Sequence, residues 1–257
     1  MTDPSLRSQE GNGEGMIDLD ERNITTAGDV DVTEGTYGRI SCAGDLRMTG
    51  KVQADSIKSA GDLMARGDVL VENMSIFGNA EFRANLKASS VSTFGDLESR
   101  GTVDAGELKV YGSMKGKVFN IEKLTVYGDI GSAEEINCDS IEVNGELHIE
   151  GAMNIGSGIL NIMGHSSVNE IFCQDLRVNA DEGSYKGILA GLISRGKGGR
   201  LEVQLIEGDD ITLENTTCDI VRGKNIKIGR EARIRRVEYQ ESLEIFENGE
   251  VKEREEF

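Results

Sequence analysis

The chain has 257 residues, 37% hydrophobic but only 5% aromatic, with 33 glycines, one proline and no tryptophan. That is length enough for one or two domains with a poor supply of large core residues, which disfavours a compact globule and predicts a thin core of Val, Ile, Leu and Ala in an elongated body. The formal net charge of −18 excludes a general nucleic-acid binder, because phosphate is gripped mainly through Lys and Arg.

Residues 1–18 open the chain without the basic-then-apolar pattern of a leader, and they read as a disordered tail. No apolar run anywhere approaches the roughly 18–20 residues that span a bilayer. The expectation is a soluble, cytoplasmic protein.

From residue 19 the chain repeats. LKVYGSM at 108–114 returns as LTVYGDI at 124–130, and a glycine recurs at 28, 44, 61, 78, 95, 112, 128, 145 and 164, in steps of 16 to 19. A short polar turn-former follows almost every one: Asp29, Asp45, Asp62, Asn79, Asp96, Ser113, Asp129 and Glu146, then His165. Four residues before each glycine stands an apolar residue, from Ile24 and Ile40 to Ile141 and Leu160. Alternating pairs such as Val52/Ala54, Phe119/Ile121 and Leu63/Ala65 add two more short strands per repeat, turned at the glycine corner, at a second corner (Gly50, Gly67, Gly101, Gly151) and at pairs such as Asp55-Ser56.

Three such strands cannot form a stable sheet alone, but one triangular coil stacked on the next buries a continuous interior. The sequence therefore predicts an all-β fold: a right-handed parallel β-helix, a three-sided solenoid with about 17 residues per coil, regular over 19–180. With strands about 4.8 Å apart, its nine regular coils make a rod on the order of 40 Å long. Cys42 falls in the inward slot held by Val110, Val126 and Val143, while Cys138 and Cys173 fall in the slot of Ala54 and Ala105. These thiols read as small buried hydrophobes in a reducing compartment. Cys138 and Cys173 lie two coils, roughly 10 Å, apart, too far for a disulfide.

Residues 181–200 (DEGSYKGILAGLISRGKGGR) interrupt the period and read as a projecting loop, basic at Lys186, Arg195, Lys197 and Arg200 and apolar at Ile188, Leu189, Leu192 and Ile193. Within it, GLISRGKG is one residue short of a phosphate loop and lacks the hydroxyl that would hold Mg²⁺. Alternating strands resume over 201–246 as further, less regular coils, and the acidic tail 247–257 is expected to be disordered. Residues 222–236 hold seven bases, Arg222, Lys224, Lys227, Arg230, Arg233, Arg235 and Arg236, against the single acid Glu231. With the loop they form a candidate patch for an acidic neighbour or anionic lipid headgroups.

No catalytic, cofactor or metal site is spelled out. His148 points outward between Leu147 and Ile149 and His165 follows a corner glycine, with no expected Ser, Cys or carboxylate partner for acid–base or nucleophilic work. The corner acids form a column that the turn itself explains, and no calcium repeat occurs.

The cornered repeats, the early segment GTYGRISCAGDLRMTG and the later ITLENTTCDIVRGKNIKIGREARIRRVEY together resemble the bactofilins, bacterial polymer-forming cytoskeletal proteins, over roughly residues 21–245. The resemblance implies end-to-end self-assembly without nucleotide or cofactor, as a non-enzymatic scaffold for cell shape, envelope or flagellar machinery. Family members carry proline-rich flanks and some a membrane-targeting N-terminus; here Pro4 is the only proline. The expected partner is the chain itself, with the inner membrane surface or envelope and flagellar assembly proteins as further candidates. Self-association is expected through the terminal coils, at Leu19, Ile24, Val30 and Val32 on one end and Val237, Tyr239, Leu243, Ile245 and Phe246 on the other, where unpaired backbone and apolar interior meet solvent. Two alternatives stand beside it. One is a monomeric or trimeric β-helix accessory domain that binds division or flagellar partners. The other is a hexapeptide-type acyltransferase, disfavoured by the 17-residue spacing and by the lack of a suitable histidine site.

Overall fold

The computed structural model describes residues 22–179 and 199–257. Leu19, Lys186, Ile188, Leu189, Leu192, Ile193, Arg195 and Lys197, like the expected tail 1–18 and all but the end of the expected loop, lie outside the described residues. Within them every regular element is a β-strand, and the strands join one parallel stack in which each strand but the outermost pairs with the coil before and the coil after. The register column through Ile24, Ile40, Ile57, Met74, Val91, Leu108, Leu124, Ile141, Gly158, Leu176, Ile211, Ile226 and Leu243 counts thirteen coils. At about 4.8 Å per coil the solenoid is about 60 Å long.

A regular coil contains two strands, not the three expected. Leu46–Met48 makes one face, and the eight-residue strand Val52–Ser59 makes the other two. In that strand the inward–outward alternation breaks once, at Asp55 and Ser56, which both face out, and resumes at Ile57. Ser56 still pairs with Arg39 below and Asn73 above. The third corner is therefore turned without interrupting the hydrogen-bond ladder, and the short strands on either side of it merge.

The column also corrects the alignment at its ninth coil. Gly158, not Leu160, stands above Ile141, while Leu160 pairs with Val143. The 17-residue spacing persists through the strands, and the extra residues before Gly164 are absorbed at the corner, where no ladder constrains them.

The interior is a single cluster of aliphatic side chains with Phe82 and Phe119 fully enclosed. Cys42, Cys138 and Cys218 are buried in it and Cys173 is half-buried, all as free thiols. The polar intruders are satisfied: Ser59 Oγ donates to the Gly44 carbonyl at 3.0 Å and Thr93 Oγ1 to the Gly78 carbonyl at 3.3 Å.

The glycine corner is explained by close approach. A Cβ on Gly61 would stand 2.5 Å from Asp45 Oδ1 and 2.8 Å from the Gly44 carbonyl carbon. The corner acids bind backbone in the same way coil after coil: the Asp62 N–H donates to Asp45 Oδ1 at 3.0 Å, that of Asn79 to Asp62 Oδ1 at 2.8 Å, and that of Ser113 to Asp96 Oδ1 at 2.7 Å. Each acid thus satisfies an amide that the sharp corner would otherwise leave open.

Past residue 199 the strands Arg200–Leu213, Thr216–Ile228 and Arg233–Ile245 continue the parallel stack. Ile211 pairs with Ile226, so one coil there takes 15 residues, and its corner is a two-residue turn with Asn215 at φ 46°. Asparagine tolerates that left-handed conformation better than most residues. The acidic terminus is not disordered: Glu250–Glu256 is a strand paired with Arg233–Tyr239. Backbone pairing along an existing edge orders a segment whose side chains bury little.

Replacing Phe82 by Ala is expected to cost about 3–5 kcal/mol of stability in denaturant unfolding, because an enclosed cavity forms. At the corner, Asp96→Ala should cost about 1 kcal/mol by stranding the Ser113 N–H, whereas Asp96→Asn, which does what Asn79 does one coil earlier, should cost little. The Ser113 N–H holds the Asp96 carboxyl below its ordinary range. A folded value below the unfolded one gives stability that is present above the unfolded value and lost as pH falls through the folded one. Asp96→Asn should therefore flatten the fall in Tm below about pH 4, measured by circular dichroism.

Candidate functional site

Three kinds of surface offer chemistry: the rod's ends, its charged walls and one groove. At the first end, among the described residues, no strand pairs with the outer edge of Arg22–Thr26 or Val30–Val32. Ile24 and Val30 are half-buried there and Val32 is buried. At the other end the terminal strand alters the expected interface. Val237 is fully buried beneath it, pairing with Arg254, and Tyr239 pairs with Glu256. Phe246 leaves the end face to pack its ring over Gly229. Of the residues expected at this end, Leu243 and Ile245 keep a half-buried position in the part of strand Arg233–Ile245 beyond Tyr239, above which no strand is described. The position above Ile234 is taken by Val251, but that above Val237 is taken by Arg254, so this end is apolar at Val251 and over Leu243 and Ile245 and charged over Val237.

The basic stretch does not form a free basic surface. Arg222 donates from Nε to Glu238 Oε2 at 2.6 Å and from Nη1 to Glu207 Oε2 at 3.0 Å. Lys224 meets Asp209 at 2.9 Å, Lys227 meets Glu244 at 3.3 Å, Arg230 meets Glu214 at 3.0 Å and Arg235 meets Asp219 at 3.6 Å. Arg233 lies 3.8 Å from Glu250, and Arg236 bridges Glu238 and Glu255. All seven bases of 222–236 are thus answered by carboxylates, most of them from neighbouring coils. Arg222 holds the Glu238 carboxyl below its usual range, and Arg236 adds to the effect. The run is basic along the chain and mixed in space, because stacking brings in acids 15 to 19 residues away.

His148 does acquire partners, against expectation. Its Nδ1 lies 3.2 Å from Ser167 Oγ, one coil on, and its Nε2 lies 3.9 Å from Glu146. His165 lies 3.9 Å from Glu202. On the wall, His165 is exposed at 64% of its side-chain surface and His148 is partly covered at 41%. A nucleophile needs a dry, shaped site with donors aimed at the developing charge, and this wall supplies none. Among the described residues no group of three or more His, Cys, Asp or Glu is placed to hold a metal.

A groove of about 830 Å³ runs along the third corner across the middle coils. One wall is a ladder in which Asn120 donates to Asp104 at 2.7 Å, Asn137 to Asn120 at 2.9 Å and Asn154 to Asn137 at 2.7 Å; its floor includes Ala105, Ile121 and Cys138. The amides satisfy one another, and neither histidine lines the groove. Burial pushes the Cys138, Cys173 and Cys218 thiols up to about 12, so they are neutral at physiological pH and poor nucleophiles.

Sequence reasoning named no role for the aromatic residues before the corner glycines, Phe77, Phe94, Tyr111 and Tyr127. They were visible as a repeated FG or YG pair; that they stack was not.

No family model matches the chain, and no solved structure matches it. A stretch of 65 residues is 40% identical to the uncharacterized protein YhbF of Bacillus subtilis (strain 168), covering 25% of this chain and 27% of that protein. The chain thus spans about a quarter of the length of the curated relative it matches. What the fold defines is a parallel β-solenoid. Among its described residues no helix is long and apolar enough to cross a membrane.

A thiol reagent such as 5,5′-dithiobis(2-nitrobenzoate) should label the native protein only slowly and all four cysteines after unfolding, as read by absorbance. Prompt labelling of Cys138 in the native state would contradict the buried, protonated thiol.

Proposed function

We propose that the protein is a non-enzymatic structural scaffold, a rigid β-solenoid that joins copies end to end without nucleotide, as its resemblance to the bactofilins implies. The observation that carries this reading is the pair of open edges. The ladder stops, among the described residues, at strands whose outer N–H and C=O groups have no partner and whose inward residues Ile24, Val30, Leu243 and Ile245 are only half-buried. Another rung is the natural way to satisfy both needs. The walls carry paired charges and a self-satisfied amide ladder, which suit a rigid rod.

The terminal strand refines the mechanism. With Glu250, Glu253, Glu255 and Glu256 interspersed with Lys252 and Arg254, end-to-end contact is apolar over Leu243, Ile245 and Val251 and charged where Arg254 covers Val237. That charged edge also favours a second reading, a rod of fixed length that displays binding partners, since charge on an edge strand is a common guard against further pairing.

Sedimentation velocity of the nucleotide-free protein separates the two. Assemblies far larger than the 27.8 kDa chain are expected, and Leu243→Asp is expected to reduce them to short species with unchanged circular dichroism. A single slow boundary at high concentration would leave the fixed-length rod as the better account, and acyl transfer from an acyl-thioester donor would overturn the non-enzymatic reading.

A further inference from the structure

Phe77, Phe94, Tyr111 and Tyr127 stand in four successive coils at the residue before the corner glycine. Their rings stack at centroid separations of 5.0, 4.8 and 5.3 Å, with interplanar angles of 5°, 5° and 14°. All four remain exposed, at 50%, 48%, 42% and 43%. The Lys58 ammonium closes one end of the stack, 5.9 Å from the Phe77 centroid.

The stacking decides what such a ridge can receive. Ring faces are taken up by neighbouring rings, so a sugar or other planar ligand has no platform to lie on, and what faces outward is a line of ring edges with two phenolic hydroxyls. An apolar line of this kind on an acidic rod suits a second apolar line.

The flanks of the ridge differ in charge. On one side runs the outward row Lys58, Ser75, Ser92 and Lys109, continued in register by the buried Thr125. Lys109 and the adjoining Lys123 share Glu107, which leaves one net positive charge beside that of Lys58. On the other side runs the corner row Asp62, Asn79, Asp96, Ser113 and Asp129. Two rods laid ridge to ridge and parallel, related by a two-fold axis along the rod, set each basic flank against the other's acidic flank: Lys58 meets Asp62 at its own rung, and Lys109 meets Ser113 with Asp96 and Asp129 one rung to either side. An antiparallel pair sets acid against acid and lysine against lysine.

We propose that the aromatic ridge is a lateral interface at which a second copy of this chain docks in parallel, Lys58 and Lys109 facing the corner acids of the other copy. Four half-exposed rings supply a patch on the order of 400 Å², about half of what each side of a stable interface buries. Single rods therefore pair weakly, and rods already aligned end to end pair strongly because the contact repeats along them.

The test uses the full chain carrying Phe77→Cys or Tyr127→Cys, under mild oxidation, with the unsubstituted protein as control for its interior thiols. Parallel docking predicts that each variant forms a disulfide-linked dimer by itself. Dimers that appear only when the two variants are mixed mean antiparallel rods, and no dimer above the control means no lateral interface; either outcome overturns the proposal. Phe94→Lys combined with Tyr111→Lys, both at exposed positions, should lower the lateral dimer yield of the Phe77→Cys variant by roughly tenfold or more. In electron micrographs the same pair of changes should narrow paired filaments to single ones of unchanged length. Failure of end-to-end growth is a separate outcome, since short rods would still cross-link through their ridges.

Discussion

Parallel pairing at a constant spacing of about 4.8 Å is the constraint from which the rest of this molecule follows. It obliges every coil to bring equivalent residues directly above one another, so the unit of structure is the column and not the single contact. A column tolerates identical neighbours only if they help each other at that distance. Aliphatic residues do so inside. Outside, the corner acids stack because each carboxylate accepts the next coil's N–H, the asparagines because each amide donates to the next, and the aromatics because their rings lie flat on one another. The corner glycines belong to the same rule, since a side chain there would meet the backbone one coil below.

Charge is handled differently in the two halves. In the regular half, like charges in the corner column are tolerated because backbone donors neutralise part of each one and water screens the remainder. In the later coils acid alternates with base up a column, as in Glu207, Arg222 and Glu238. Each exposed pair is worth little alone, but Glu238 is shared between Arg222 and Arg236, and a connected set holds its geometry better than separate pairs do. The alternation also removes what a linear reading takes for a basic surface.

A solenoid of this kind exposes two sorts of surface that repeat with the fold, its ends and its ridges, and the functional readings above attach to those. The ends present hydrogen-bonding edges that a further coil would continue, and the last strand adds Val251 to the apolar part of that contact while placing Arg254 over Val237. The ridge offers a different direction of association, sideways, and its asymmetry of charge gives it a sense. The histidines and thiols have no such place: the former stand on the wall, and burial keeps Cys138, Cys173 and Cys218 protonated.

Much of this was legible in the chain itself. The spacing of the corner glycines, the inward slots of Cys42 and Cys138, and the alternation of pairs such as Val52/Ala54 determine a stacked β-coil, because a 17-residue period of short strands has one economical way to bury its apolar face. Properties that depend on residues one coil apart were decided only by the tertiary structure. The merging of two faces into Val52–Ser59, the acids that answer Arg222 and its neighbours, Ser167 beside His148, the ordering of Glu250–Glu256 and the stacking of Phe77 on Phe94 all arise between residues 15 to 19 positions apart. A sequence names such neighbours only once the register is known, and register is set by backbone pairing throughout the rod, not by any local signal.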